Sequence, residues 1–303
     1  MILDLLLPKN RMADTVIWSI IGLLTIIINI WVLVAIYYRK NFLNQSIYLI
    51  MASLCCSNIL FTVLYIFPRL VNPHYKKSWL YCSLTSVFAT IMIVAINLHL
   101  MAISIDRFLT IYYARHYFRN PLTLYRTKWS ITIIWLTSVT FSIIPILTYR
   151  PFKPNQCLPW DPHKLDQEAI YYIITLSVFF ILPNIIMISC NIYIVRKIRI
   201  LRRQIQAQVF VTSDTRHHGK SHKLALTFVS LICLYLVMWI PLYALFATIL
   251  LSPSILSSNP TNCQLVWINT SQYLAFSYPL VHTVAFAYTS IEIKWRQFII
   301  CFI

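Results

Sequence analysis

From Cys82 to Ile105 the chain carries no Lys, Arg, Asp or Glu, and this run constrains the fold more than any other feature. It is long enough to cross a bilayer as a helix, which takes ~20 apolar residues. A helix satisfies every backbone polar group within the segment, as hydrocarbon requires. The run closes on Asp106-Arg107-Phe108. Alone, such a charge pair only marks a membrane edge, where an Arg snorkels to the headgroups. Six more apolar spans accompany it, so that the set reads roughly 16–38, 46–70, 79–111, 129–149, 169–195, 224–251 and 264–288. The chain is 59% hydrophobic and 11% charged, whereas soluble domains are ~25% charged. These features predict an all-α membrane protein, with residues 1–303 forming a single seven-transmembrane helix bundle. Residues 290–302 (SIEIKWRQFIICF) are too short to cross and read as an amphipathic helix lying on the membrane surface.

Orientation follows from where Lys and Arg collect. One side gathers Arg39, Lys40, Arg107, Arg115, Arg119, Arg126, Lys128, the run from Arg196 to Lys223, Lys294 and Arg296. The other holds fewer, together with Asp4, Asp14, Asp161, Asp166 and Glu168. The N-terminus is therefore expected outside and the C-terminus in the cytosol. The net charge of +17 is explained by this sidedness and calls for no nucleic acid. The opening MILDLLLPKNRM lacks a basic leader and a cleavage site, and reads as a short outer tail. With 2 Gly in the chain, Gly-rich phosphate loops are excluded. No HExxH, GxSxG or paired CxxC occurs, so neither an enzyme, a cofactor nor a metal site is expected.

Pro183 and Pro241 each remove a backbone donor and bend their spans, which makes hinges or static kinks. Trp239, two residues before Pro241, faces the bundle as a switch or as core filling. Asn29 and Asn58 can hydrogen-bond between the first two spans. Taken in order, these features resemble the rhodopsin-like G-protein-coupled receptors over nearly the whole chain. Asp106-Arg107-Phe108 is similar to that family's Asp-Arg-Tyr. Met238-Trp239-Ile240-Pro241 is similar to its Cys-Trp-x-Pro, and Asn29, Trp135, Pro145 and Pro183 fall in its places.

The resemblance implies a plasma-membrane receptor in which Asp106 holds Arg107 at rest. On activation the sixth helix swings out and Arg107 meets a heterotrimeric G protein, with Phe108, Trp239, Pro241 and Phe286 in switch positions. Arrestin is a further candidate partner, and membrane lipids surround the bundle. The resemblance also implies a disulfide between Cys82 and Cys157, both on the oxidising outer side. Cys55, Cys56, Cys190 and Cys233 read as small apolar fillers, and Cys301 as a palmitoylation site. Helical spacing from Arg107 and Pro241 points Ser86, Ala89, Thr90, Ile93, Trp239, Tyr243 and Phe246 into a ligand site, joined by Gln272 and Phe276.

The departures carry information. Asn58 and Ile96 stand where the family's sodium ligands would be, and Asn191 stands where a fifth-span tyrosine is expected. The seventh span lacks Asn-Pro-x-x-Tyr; its remnant is Tyr278 to His282 or His282 to Phe286. The second register leaves a normal gap before the surface helix and is preferred. His282 then lies in the inner half, more simply as a hydrogen-bonded core residue than as a proton relay. NQSIYLIMASLCCSNILF and PLVHTVAFAYTSIEIK resemble teleost-type odorant receptors, a chemosensory branch, whereas Trp239-Ile240-Pro241 does not. Ala89 occupies the place of the amine-pairing Asp, so a neutral, largely apolar small ligand is expected. A peptide held at the rim by Asp161, Asp166 and Glu168 is the alternative. A transporter or channel would show internal repeats, broken helices and buried charges, none of which is evident. A receptor-like protein that no longer signals is the remaining rival.

Overall fold

The computed structural model describes residues 11–38, 45–71, 79–113, 124–149, 165–208, 230–245, 247–248 and 262–289. Among them all regular structure is helical, in seven helices. Helix α1 is Arg11–Tyr38. Helix α2 is Ser46–Phe61 and continues more widely wound through Thr62–Val71. Helix α3 is Trp79–Tyr113 and α4 is Leu124–Thr148. Helix α5 runs Leu165–Leu176, widens over Ser177–Ile181 and resumes as Leu182–Gln208. Helix α7 is Asn262–Thr289. Helix α6 is Ser230–Leu245.

Five of these, α1 to α5, are long and apolar enough to cross a membrane. Helix α6 is apolar but described over a shorter length. Helix α7 is long enough, but Asn269, Gln272, His282 and its Ser and Thr residues lower its hydropathy. Its docking against α1 places it in the bundle.

The helices outrun the apolar spans that announce them. Helix α1 begins at Arg11 instead of 16 and α4 at Leu124 instead of 129. Charged residues end the apolar pattern, yet the backbone ladder continues into the interface, where their long stems can snorkel. Helix α5 passes the expected end at 195 and runs to Gln208. Arg196, Lys197, Arg199, Arg202 and Arg203 are therefore helical, in keeping with the good helix propensity of Arg, Lys and Gln. The 290–302 segment, Cys157 and Cys301 lie outside the described residues.

Proline sets the two widened stretches. A proline has no N–H, and its ring crowds the carbonyl four residues back, so the local ladder slips to a longer repeat. Pro183 lies two residues beyond the end of Ser177–Ile181, and Pro68 lies inside Thr62–Val71. Pro145 and Pro279 sit within regular helix. The widening at Pro183 lies where a bend is expected from the sequence, and that at Pro68 has no counterpart among the sequence expectations.

Helix α3 is the hub, packing against α2, α4 and α5. In their most apolar stretches, 61% of α3 is buried against 22% of α4, whose Ile133, Leu136 and Leu147 point outward. Outward apolar side chains are normal where the solvent is lipid. Helices α1 and α2 meet at Gly22, where an added Cβ would lie 2.6 Å from Phe67 Cε1. Cys55 is buried as expected, but Cys56 and Cys233 face outward and are not core fillers. Neighbouring helical side chains diverge by about 100°, so Cys55 and Cys56 cannot both enter the core.

Candidate functional site

At the Arg107 end of α3, Ser46 of α2 donates a hydrogen bond to the Asp106 carboxylate. Arg107 Nη2 lies 3.7 Å from Asp106 Oδ2. The Asp106 side chain is 2% exposed and that of Arg107 14%, so the acid is enclosed and the arginine largely so. Phe108 packs edge-on against Tyr193 of α5, ring centres 4.9 Å apart, and stacks on Tyr112 at 5.7 Å. Phe108 and Ile111 also pack against Ile194 and Ile198, a separate apolar cluster between α3 and α5. Asn191, in the expected tyrosine place, is buried, and its Oδ1 has no partner among the described residues.

Midway through the bundle, three helices share one polar knot. Asn58 Nδ2 donates to Asn29 Oδ1 at 3.1 Å, and Thr283 Oγ1 donates to the same oxygen at 3.0 Å. Asn29 Nδ2 donates to the Thr25 carbonyl at 2.8 Å. The expected α1–α2 pair is present, and α7 joins it through Thr283. Within the 282–286 stretch, Thr283 faces the two asparagines. His282 is buried with its ring 5.2 Å from that of Tyr278, but its Nδ1 has no hydrogen-bond partner among the described residues. Phe286 is also buried.

Toward the other end, Trp239 is 1% exposed and central to an aromatic group. Tyr235 lies 6.0 Å from it, Tyr243 5.8 Å and Phe276 6.4 Å between ring centres. Phe180 of α5 stacks on Tyr243. Phe276 also meets Phe61 and Tyr65 of α2 at 5.6 and 5.5 Å. Ala89 and Gln272 are buried, and Thr90 and Ile93 are partly buried. Of the predicted ligand residues, the structure therefore draws Trp239, Tyr243 and Phe276 together. The side chain of Ser86, and Phe246, lie outside the described residues, as does the Cys82 side chain.

Several polar contacts have no counterpart among the sequence expectations. Tyr235 donates a hydrogen bond to Asn97 Oδ1, and Asn97 Nδ2 donates to the Tyr243 hydroxyl at 3.3 Å. His99 Nε2 lies 2.7 Å from Ser53 Oγ, which also accepts from Trp135 Nε1 at 3.0 Å. Because His99 Nδ1 faces the Ala95 carbonyl at 2.6 Å, Nδ1 carries the proton, and Ser53 donates to Nε2. Tyr273 of α7 donates to Asp14 Oδ1 at 2.6 Å and stacks on Trp18. The available signal was a polar residue in an apolar span, which hydrocarbon tolerates only with a partner.

Residues 28–288 match the family described as 7 transmembrane receptor (rhodopsin family). An alpha-2Da adrenergic receptor of Danio rerio is 33% identical over 190 residues, 60% of this chain and 43% of its own length. A GQ-coupled rhodopsin of Mizuhopecten yessoensis is 29% identical over 258 residues, 76% of this chain and 48% of its own. A C-X-C chemokine receptor type 1 of Oryctolagus cuniculus is 24% identical over 242 residues, 77% of this chain and 62% of its own. The chain spans less than half the length of the first two.

Proposed function

The chain belongs to the rhodopsin family of seven-transmembrane receptors, and on that premise we propose that it converts binding of a small, neutral, largely apolar ligand outside the cell into heterotrimeric G-protein activation inside. The N-terminus is outside in this reading, as the sidedness of Lys and Arg requires. Arrestin is proposed as a second inner partner.

The observation that carries the signalling half is the Asp106–Arg107 pair. A largely buried arginine, paired with an enclosed carboxylate that Ser46 also holds, is a charge ready for release at the inner face. The basic helical extension of α5 supplies an electropositive docking surface beside it. Arg107→Ala should leave expression and ligand binding intact and abolish second-messenger output in a ligand-screened cell assay. A normally expressed mutant that signals as well as the parent would overturn the proposal.

The ligand half rests on the aromatic group around Trp239. Helix α3 offers no acid between Trp79 and Ile105, and Ala89 stands in the amine-pairing place. An ammonium buried there would go unpaired, which is costly. An amine ligand is therefore disfavoured at this depth. An apolar lining with few polar anchors, Thr90, Tyr243 and Gln272, suits a neutral molecule oriented by one or two hydrogen bonds. An odorant-like ligand is of this kind, and the second- and seventh-span spacing supports it. A peptide ligand is the second reading. It is favoured by the chemokine-receptor relative and by Asp166, exposed in the first turn of α5.

A further inference from the structure

The two hydrogen bonds of Asn97 join one residue of α3 to two tyrosines of α6 that lie on opposite sides of Pro241. Tyr235 precedes the proline by six residues and Tyr243 follows it by two. Tyr235 donates to Oδ1 of Asn97, and Nδ2 of Asn97 donates to Tyr243, so both ends of one amide are used on the same helix. Asn97 is 2% exposed and Tyr235 fully enclosed, so the contact between them does not compete with bulk water, while the Tyr243 arm is partly buried.

Between the two tyrosines α6 holds itself poorly. Pro241 has no N–H for the Val237 carbonyl, and its ring strains the preceding turn. Trp239 Nε1, in that turn, is buried without a hydrogen-bond partner among the described residues. A helix that lacks one bond of its own ladder is thus joined to α3 on both sides of the gap.

We propose that Asn97 is a polar latch that clamps the Pro241 segment of α6 to α3 and holds the receptor in its resting conformation. The latch rests on the receptor reading above, and it adds an element to the ligand site. Tyr243 is both a predicted ligand anchor and one arm of the clamp. A ligand hydroxyl or carbonyl that engages the Tyr243 hydroxyl competes with the Asn97 amide and loosens one arm directly. Helix α6 then moves when the Tyr235 arm yields as well.

The test uses the full chain purified in nanodiscs, with no ligand. Amide hydrogen exchange over residues 230–245 reads the opening of α6, and basal nucleotide exchange on a panel of heterotrimeric G proteins reads signalling. Tyr235→Phe and Tyr243→Phe keep both rings and remove one hydroxyl each. Asn97→Leu removes both bonds at once. Each single Tyr→Phe change should speed exchange in this segment several-fold, and Asn97→Leu on the order of tenfold. Adding Asn97→Leu to the double Tyr→Phe variant should change little further, since both act on the same two bonds. Exchange in α4, remote from the latch, should stay as in the parent.

If exchange over 230–245 is unchanged in the Tyr→Phe variants, or Asn97→Leu adds fully to them, the latch is refuted. The tyrosine variants decide this even if Asn97→Leu does not fold. Faster exchange with raised basal nucleotide exchange supports both the latch and the receptor reading. Faster exchange with no response from any G protein supports the latch and counts against the signalling function.

Discussion

Asn29→Ala removes the acceptor on which two helices converge. Asn58 Nδ2 at 3.1 Å and Thr283 Oγ1 at 3.0 Å both lose Asn29 Oδ1. An interhelical hydrogen bond in a membrane protein contributes about 0.6 kcal/mol on average and up to about 1.7. The losses are unequal, because Thr283 keeps a second acceptor in the Pro279 carbonyl at 2.8 Å. Its single proton is already shared between two oxygens, so it gives up little. Among the described residues, Asn58 Nδ2 is left with only the Thr283 hydroxyl at 3.5 Å, the outer limit of a hydrogen bond. A buried donor left so poorly matched costs about 1–3 kcal/mol.

The single variant should therefore lose about 2–3 kcal/mol of stability, concentrated on Asn58. Double-mutant cycles separate the two arms. Asn29→Ala with Asn58→Ala should show a coupling of about 1 kcal/mol, and Asn29→Ala with Thr283→Val less than about 0.5. Unfolding in mixed micelles, followed by loss of helical circular dichroism, measures both. A Thr283 coupling equal to or larger than that of Asn58, or an Asn29→Ala change within about 0.5 kcal/mol of the parent, refutes the reasoning.

Three more outcomes are expected. Ala89→Trp fills the buried face of α3 and should abolish the response to a small ligand while sparing a rim-bound peptide; dose–response curves of both ligand types distinguish the cases. Replacing Cys82 or Cys157 by Ser should reduce surface delivery and cost about 2–5 kcal/mol, and recovery of both as free thiols by alkylation of the mature protein would sink the pairing. Sodium should leave ligand affinity unchanged relative to an equal concentration of a bulky organic cation. Asn58 brings no carboxylate and Ile96 no oxygen, while a hard cation wants several oxygen ligands.

The division between what was legible in the chain and what was not follows from the physics of the bilayer. Hydrocarbon demands some twenty apolar residues per crossing and a backbone that satisfies itself, so each span is written locally. The spans, the charge pair at Asp106-Arg107 and the inward face of Trp239 could all be read this way. So could the Asn29–Asn58 bond, since two asparagines in neighbouring apolar helices have few other places to put their amides. The prolines were only partly readable. Pro183 and Pro68 widen their helices whereas Pro145 and Pro279 do not, because neighbouring packing decides how a freed carbonyl is accommodated.

What the sequence withheld is partnership across long separations. A polar residue in a span announces that it needs a partner but does not name one. The choice depends on how each helix is rotated about its axis and how closely two axes approach, and both are set by side-chain packing over the whole interface. Asn97 meets Tyr235 and Tyr243, Ser53 meets both His99 and Trp135, and Tyr273 reaches Asp14. Cys56 turns outward while Cys55 turns in. None of these pairings is encoded in spacing along one helix. They exist because the seven rods settle into one set of rotations, and only the assembled bundle fixes it.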